Sequence, residues 1–112
     1  MVPATQNIKI MRGDTEVFNI TLKDSANVAI NISSSTFISQ VRYERDSSTV
    51  AAAFTCVVTD PANGVVTLTM SPVSSAALTA GPAYWDLQRT EGGVVNTILS
   101  GKCTILADVS RV

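Results

Sequence analysis

The sequence predicts a single all-β domain, an antiparallel β-sandwich of about seven to nine strands. Three observations lead to this prediction. Apolar and polar residues alternate in short stretches, and turn-forming residues recur at intervals of roughly ten residues. The 112 residues, 46% of them hydrophobic, suit one small core rather than two. We therefore divide the chain into an N-terminal arm, residues 1–7, and a sandwich domain, residues 8–112.

The first half of the domain is predicted to contain a hairpin and two longer strands. Residues 18–22 alternate apolar with polar side chains, and residues 28–32 repeat the pattern after a polar turn, so we expect them to pair. Strands over residues 37–45 and 50–59 follow, separated by a polar loop. The side chains expected to share the inward face of the second strand are Ala52, Phe54, Cys56 and Val58.

The second half opens on the strongest turn signal in the chain, Asp-Pro-Ala-Asn-Gly at residues 60–64. Proline fixes φ there, and Asn-Gly tolerates positive φ. A strand over residues 65–70 follows, with alternate side chains facing inward. Residues 72–79 are predicted to form one short helical turn, because Pro72 suits a first helical position and Ala and Leu follow it.

Two further strands complete the predicted sandwich. Residues 83–89 form a strand that directs Trp85 and Leu87 inward, and a Glu-Gly-Gly turn joins it to residues 94–106. Gly101 lies inside this last stretch, and a residue without a side chain there predicts a bulge or a bend, so residues 102–106 either continue the strand over residues 94–100 or are kinked from it.

Composition excludes several classes of function. The sequence has no His, so Ser-His-Asp, Cys-His and His-based zinc sites cannot be built. Eight Lys and Arg against nine Asp and Glu give a net charge of −1, without the basic cluster that binds nucleic acid. No apolar run approaches the roughly 20 residues that span a bilayer, and the N-terminus lacks a signal-peptide pattern. We predict no nucleic-acid partner, no membrane contact, no cofactor and no metal.

The two cysteines, Cys56 and Cys103, stand apart in the sequence, without another type of metal ligand near either one. Two buried thiols, acting as small hydrophobic residues, are the favoured interpretation. A disulfide stays open as the alternative, although the reducing interior of a cell opposes it.

Asp86 is the acidic residue that we considered most closely for catalysis. Alternation along its strand directs Asp86 away from the core, where a cross-strand ion pair with Arg42 or Arg45 is favoured over a catalytic role. A domain of this size leaves little room for a cleft of several hundred cubic ångströms. We therefore assign no catalytic residue and predict that the protein is not an enzyme.

Several segments together resemble a known phage module. They are residues 12–15 (RGDT), 17–24 (VFNITLKD), 41–42 (VR), 64–70 (GVVTLTM), 76–87 (AALTAGPAYWDL), 101–105 (GKCTI) and 108–111 (DVSR). In this order they resemble the immunoglobulin-like N-terminal domain of tailed-phage baseplate upper proteins, and similar small stand-alone phage virion proteins. The resemblance extends over residues 8–111.

This resemblance implies an immunoglobulin-like structural part of a virion, made in the host cytoplasm and docked onto other virion proteins in the tail or baseplate. A capsid decoration or cement protein is the alternative within the same class. A host-surface glycan-binding module, with Tyr84 as an exposed stacking ring, is the alternative from another class. Assembly with further copies of the same chain also stays open.

Open sheet edges and loops are expected to carry the docking contacts, because strand addition is a common way to bind an antiparallel sandwich. The candidate docking residues are Met1, Val2, Pro3, Ala4, Ser33, Ser34, Ser35, Asp46, Ser47, Ser48, Glu91, Gly92 and Gly93.

Overall fold

The computed structural model describes residues 4–24 and 26–108, and it confirms the all-β prediction. In this part of the chain, eight strands are accompanied by one short α-helix and one turn of 3-10 helix. The strands are β1 (Ala4–Thr5), β2 (Ile8–Met11), β3 (Glu16–Thr21), β4 (Thr36–Arg42), β5 (Ala52–Asp60), β6 (Val65–Met70), β7 (Gly81–Glu91) and β8 (Val94–Leu106). The α-helix, α1, is Pro72–Ala76, within the predicted helical stretch, and the 3-10 turn is Pro61–Asn63.

The strands form one hydrogen-bonded path in the order β1-β8-β7-β4-β5-β6-β3, with β2 also paired to β8. The path divides into two layers because β5 changes partners along its length: residues 52–54 pair with β4, and residues 55–60 pair with β6. We call β1, β2, β4, β7, β8 and the start of β5 sheet A. The remainder of β5, with β6 and β3, is sheet B. The core lies between the two sheets.

The core confirms the predicted inward faces. Three alternate side chains of β6 are wholly buried, as their alternation predicts. The ring of Phe54 meets the ring of Phe18 edge-on, with 5.7 Å between centroids, and meets Trp85 in the same manner at 6.4 Å. These three aromatic residues belong to β5, β3 and β7, so their contacts join sheet B to sheet A.

The predicted first hairpin is present only at its turn end, where Ile30 donates its N–H to the carbonyl of Leu22 at 3.0 Å and Asp24 donates to the carbonyl of Val28 at 2.9 Å. β3 pairs with β6 along its whole length, whereas residues 28–32 form no strand and retain a single bridge, between Lys23 and Ala29. The cause is local. Leu22 donates its N–H to the carbonyl oxygen of Gly64 at 2.8 Å, and Ile32 donates to the carbonyl of Pro61 at 2.9 Å, so both segments bond to the turn between β5 and β6 instead of continuing along each other.

The predicted turns and the short helix are present. Gly64 ends the 3-10 turn with φ of 70°, the left-handed conformation expected after Asn. Ser71 caps α1, since its hydroxyl oxygen accepts the N–H of Ser74 at 3.2 Å, and Pro72 occupies the first turn. The two-residue Gly-Gly loop between β7 and β8 has φ of 58° and 80°, which suits a tight hairpin.

Gly101 does not bend β8, which runs through it as one continuous strand. The irregularity of the β7–β8 hairpin lies instead at Ile98, which the pairing register skips. A side chain at Gly101 is excluded for a different reason: its Cβ would lie 2.7 Å from the carbonyl carbon of Gln6. The glycine is required because another stretch of backbone passes directly over it.

Candidate functional site

The N-terminal segment, predicted as a docking arm, is partly built into sheet A. β1 and β2 run parallel to β8 in one common register, with Ala4 opposite Leu99 and Ile8 opposite Cys103. This parallel edge departs from the predicted antiparallel arrangement. Ala4 is exposed but paired as a strand residue, whereas the other predicted docking residues of this segment, Met1, Val2 and Pro3, lie outside the described residues.

Between β1 and β2 the chain leaves the ladder for two residues without losing its register. Gln6 still donates its N–H to the carbonyl of Ser100 at 3.0 Å, but its own carbonyl oxygen accepts the indole N–H of Trp85 at 2.7 Å. The side chain of Asn7 replaces the Gln6 carbonyl as an acceptor for β8, because its Oδ1 accepts the backbone N–H of Lys102 at 3.1 Å. Main chain and side chains together hold this segment against β7 and β8.

Two of the three predicted docking loops meet at one end of sheet A. Ser35 is buried, and its hydroxyl oxygen accepts a hydrogen bond from Nε of Arg89 at 2.8 Å. The same guanidinium forms an ion pair with Glu91 at 2.9 Å. This cluster joins the loop that precedes β4 to the loop between β7 and β8. The exposed members of the two loops are Ser33, Ser34, Glu91, Gly92 and Gly93.

The third predicted loop lies at the opposite end of β4. Asp46 and Ser48 are exposed there, while the carbonyl of the half-buried Ser47 accepts a hydrogen bond from Arg42 at 2.6 Å. The seven residues of β4 separate this loop from the other two, and a strand of that length spans roughly 20 Å. The predicted docking loops therefore form two separate surfaces.

The outer face of sheet A carries a groove of about 590 Å³, open to solvent rather than enclosed as a ligand cleft usually is, in a domain for which the sequence predicts little room for a cleft. The groove runs beside the irregularity at Ile98, where a bulged strand bends. Its lining includes Gln40, Arg42, Arg45, Tyr84, Asp86, Val95, Asn96, Thr97 and Ser100.

Asp86 lies on this outer face, as alternation predicts, but it does not form the predicted ion pair. Arg42 instead directs Nη2 to the side-chain oxygen of Gln40 at 2.9 Å, and Arg45 lies over the Tyr84 ring, 4.8 Å from its centroid. Burial raises the pKa of Asp86, while the charge of Arg42 and a hydrogen bond from the backbone of Gln40 act in the lowering direction. The groove thus contains a carboxylate whose ionisation is disfavoured by its surroundings.

The glycan-binding alternative requires exposed aromatic rings side by side. Tyr84 is half-buried, and the guanidinium of Arg45 covers its ring. Trp85 borders the groove but directs its indole into the core, where it is 4% exposed. Among the described residues that line the groove, no second exposed ring accompanies Tyr84.

Both cysteines are free thiols, as the sequence favours. Cys103 is wholly buried, whereas Cys56 is half-buried on β5 rather than fully enclosed. Burial raises the pKa of both thiols, and it raises that of Cys103 to about 11, with the nearby Glu16 carboxylate adding to the shift. Neither thiol is activated by its surroundings.

Residues 12–14, Arg-Gly-Asp, lie in the turn between β2 and β3. The N–H of Asp14 donates to the carbonyl of Met11 at 3.2 Å, and the Arg12 guanidinium donates to the carbonyl of Ala76 at 3.3 Å.

Within residues 4–24 and 26–108, no group of three or more His, Cys, Asp or Glu residues is arranged to hold a metal ion. Over the same ranges, no helix has the length and apolar content needed to cross a membrane.

A second opening, of about 410 Å³, lies where sheet A and sheet B separate, and sequence reasoning missed it. Residues 6–8 form one wall, residues 17–20 of β3 form the other, and Trp85 contributes to the lining. We call this opening the seam. No local pattern in the sequence marks it, because it exists only when β2 joins β8 and β3 joins β6.

No protein-family model matches the sequence, and no curated protein matches it at a significant level. Among solved structures, the fold is similar to the N-terminal domain of phage TP901-1 ORF48, with a TM-score of 0.52 and 16% sequence identity, over 96% of this chain and 90% of that one. The Lin-41 filamin domain aligns with a TM-score of 0.47 and 18% identity, over 87% of this chain and 81% of that one. The fold of the described chain is an immunoglobulin-like all-β sandwich.

Proposed function

We propose that this chain is a non-enzymatic structural module of a tailed-phage virion, which docks onto other virion proteins in the tail or baseplate. The observation that carries the proposal is the structural similarity to a phage protein domain, which extends over nearly the whole of both chains. The motif resemblance over residues 8–111 points to the same class of protein.

The geometry of the sandwich supports a docking role. β3 ends the path of paired strands in the described chain, so one of its edges faces no other strand. Unpaired strand edges bind extended segments of other proteins through main-chain hydrogen bonds. The exposed loops at the two ends of sheet A add contact surfaces that a neighbouring subunit can reach.

Mass spectrometry and cryo-electron microscopy of purified particles, from a phage that encodes this sequence, test the proposal. We expect peptides of this chain in the particle and density for a small sandwich in the tail or baseplate. Its absence from the particle would overturn the proposal.

A capsid decoration protein is the alternative that the same maps decide, since its density would lie on the capsid lattice. Glycan-array binding that disappears in a Tyr84→Ala variant would instead favour the glycan-binding module. A Tyr43→Ala variant is the matched control, because that tyrosine lies outside the groove lining and accepts the N–H of Thr79.

A further inference from the structure

The open edge of β3 presents its backbone groups in a fixed alternation. Leu22 donates its N–H to the carbonyl of Gly64, in register with the β3–β6 ladder, so every second residue before it also faces β6. The N–H and C=O groups of Val17, Asn19 and Thr21 therefore point away from β6. No strand of the described chain pairs with them.

The opposite wall of the seam shows the same alternation. Arg12 and Gln6 both donate their N–H groups to carbonyls of β8, so the odd-numbered residues between them face away from β8. Met11 confirms this direction, because the Glu16 carboxylate accepts its outward N–H at 3.0 Å. That bond closes the seam beside the turn between β2 and β3, and the seam lies open farther from the turn.

The lining of the seam is uncharged. None of the described residues that line it is Asp, Glu, Lys or Arg, and its polar side chains are the amides of Gln6, Asn7 and Asn19. Phe18 and Ile20 are half-buried against the core and present apolar surface there, beside the indole of Trp85. A charged side chain entering the seam would lose water and meet only these neutral amides, without an opposite charge among the lining residues, so the lining favours an uncharged segment.

The shape of the seam favours an extended chain over a folded domain. Residues 6–8 and the outward backbone groups of β3 line the same opening, so an approaching chain has to fit between the two walls. A single extended segment can enter between the walls and reach the unpaired groups.

We propose that the seam receives one extended, uncharged segment of a partner protein, which adds to β3 as a strand through the outward backbone groups of Val17 and Asn19. That the partner is a virion protein rests on the proposed function. The pairing itself rests on the backbone geometry of β2 and β3.

The test uses a capped synthetic peptide, Val-Val-Thr-Leu-Thr-Met. It has the uncharged sequence of β6, the strand that pairs with the other edge of β3 in the fold. We expect saturable binding, followed by the fluorescence of Trp85, the single tryptophan. Amide exchange by NMR should slow at Val17 and Asn19 on binding, while the amide of Phe18 is protected in both states. The same peptide, N-methylated at alternate residues, should not bind.

A Val17→Pro variant removes an outward N–H without removing a bond to β6, and proline is accepted at strand edges of this kind. We expect at least about tenfold weaker peptide binding than in the matched Val17→Ala variant, which keeps the N–H. If the proline variant fails to fold by circular dichroism, the exchange pattern of the unmodified protein decides.

Three results would overturn the proposal. They are equal affinity of the two Val17 variants, peptide binding without protection at Val17 and Asn19, and no binding at millimolar peptide. Protection of these amides in dimers of the chain alone would show that the occupant is a second copy. If the chain is found in virions but its seam binds no peptide, the proposed function stands and docking uses another surface. If the seam binds the peptide but the chain is absent from virions, only the virion role is refuted.

Discussion

The close passage of Gln6 over Gly101 makes a sharp prediction for the substitution Gly101→Ala. The new Cβ would lie 2.7 Å from the carbonyl carbon of Gln6, whereas carbon atoms in contact prefer about 3.5–4.0 Å. The Gln6 peptide must therefore retreat by about 1 Å. Gly101 has no positive φ in the structure, so the expected effect comes from this collision and not from the backbone conformation of alanine.

The retreat has an energetic consequence because the same carbonyl accepts the indole N–H of Trp85 at 2.7 Å. A shift of about 1 Å stretches that bond beyond hydrogen-bonding range. A nearly buried donor left without a partner costs about 1–3 kcal/mol, and inserting a methyl group into a packed site costs a similar amount. We expect Gly101→Ala to lower the free energy of unfolding by about 2–4 kcal/mol.

Urea unfolding followed by Trp85 fluorescence measures this loss, and amide exchange at Gln6 and Lys102 shows whether β1 and the chain crossing loosen first. Ser100→Ala is the matched control, since it adds no atom and is expected to change stability by less than about 0.5 kcal/mol. A Gly101→Ala variant as stable as this control would refute the reasoning.

Three further predictions concern Asp86, the two thiols and the cap of α1. Burial raises the pKa of Asp86 in the folded state, so the wild type loses stability as the pH rises from the unfolded-state pKa, about 4, through the folded-state pKa. In urea unfolding, Asp86→Asn should therefore be more stable than the wild type by an amount that grows with pH, and equal stability of the two at neutral pH would contradict this prediction. In the native protein near pH 8, a thiol reagent should react slowly with Cys56 and more slowly with Cys103, and both should react rapidly in urea; rapid native reaction of Cys103 would contradict its burial. Ser71→Ala should cost about 1 kcal/mol in thermal unfolding, because the N–H of Ser74 loses its acceptor; a variant indistinguishable from Ser74→Ala would count against the cap.

Alternation and turn chemistry predicted much of the fold because both are local. The inward faces of β5, β6 and β7, the turn that ends at Gly64, and the short helix after Ser71 all depend on neighbouring residues. Alternation does not identify a partner strand, however. Residues 28–32 have the pattern of a strand and still bury Ile32, but Leu22 and Ile32 each donate to the turn between β5 and β6, so the pairing of the two segments is limited to one bridge.

Less of the candidate site than of the fold could be predicted from the sequence. Asp86 faces outward as predicted, but its relation to Arg42 depends on hydrogen bonds that this arginine makes elsewhere. The sequence does show a glycine within a strand at Gly101. The reason that a glycine is needed there is the backbone of Gln6, which is far away in the sequence. The seam needs two strand partnerships at once, and neither is encoded in the short turn that joins β2 to β3.

The parallel pairing of β1 and β2 with β8 also sets an order of events during synthesis. Ala4 finds its partner only when Leu99 has been made, and at about 5–20 residues per second the ribosome needs roughly 5–20 seconds to produce the intervening chain. Throughout that interval Ile8 and Ile10, both buried in the finished protein, have no β8 to join. Sheet A therefore closes after translation of β8, and the seam is among the last features of the molecule to form.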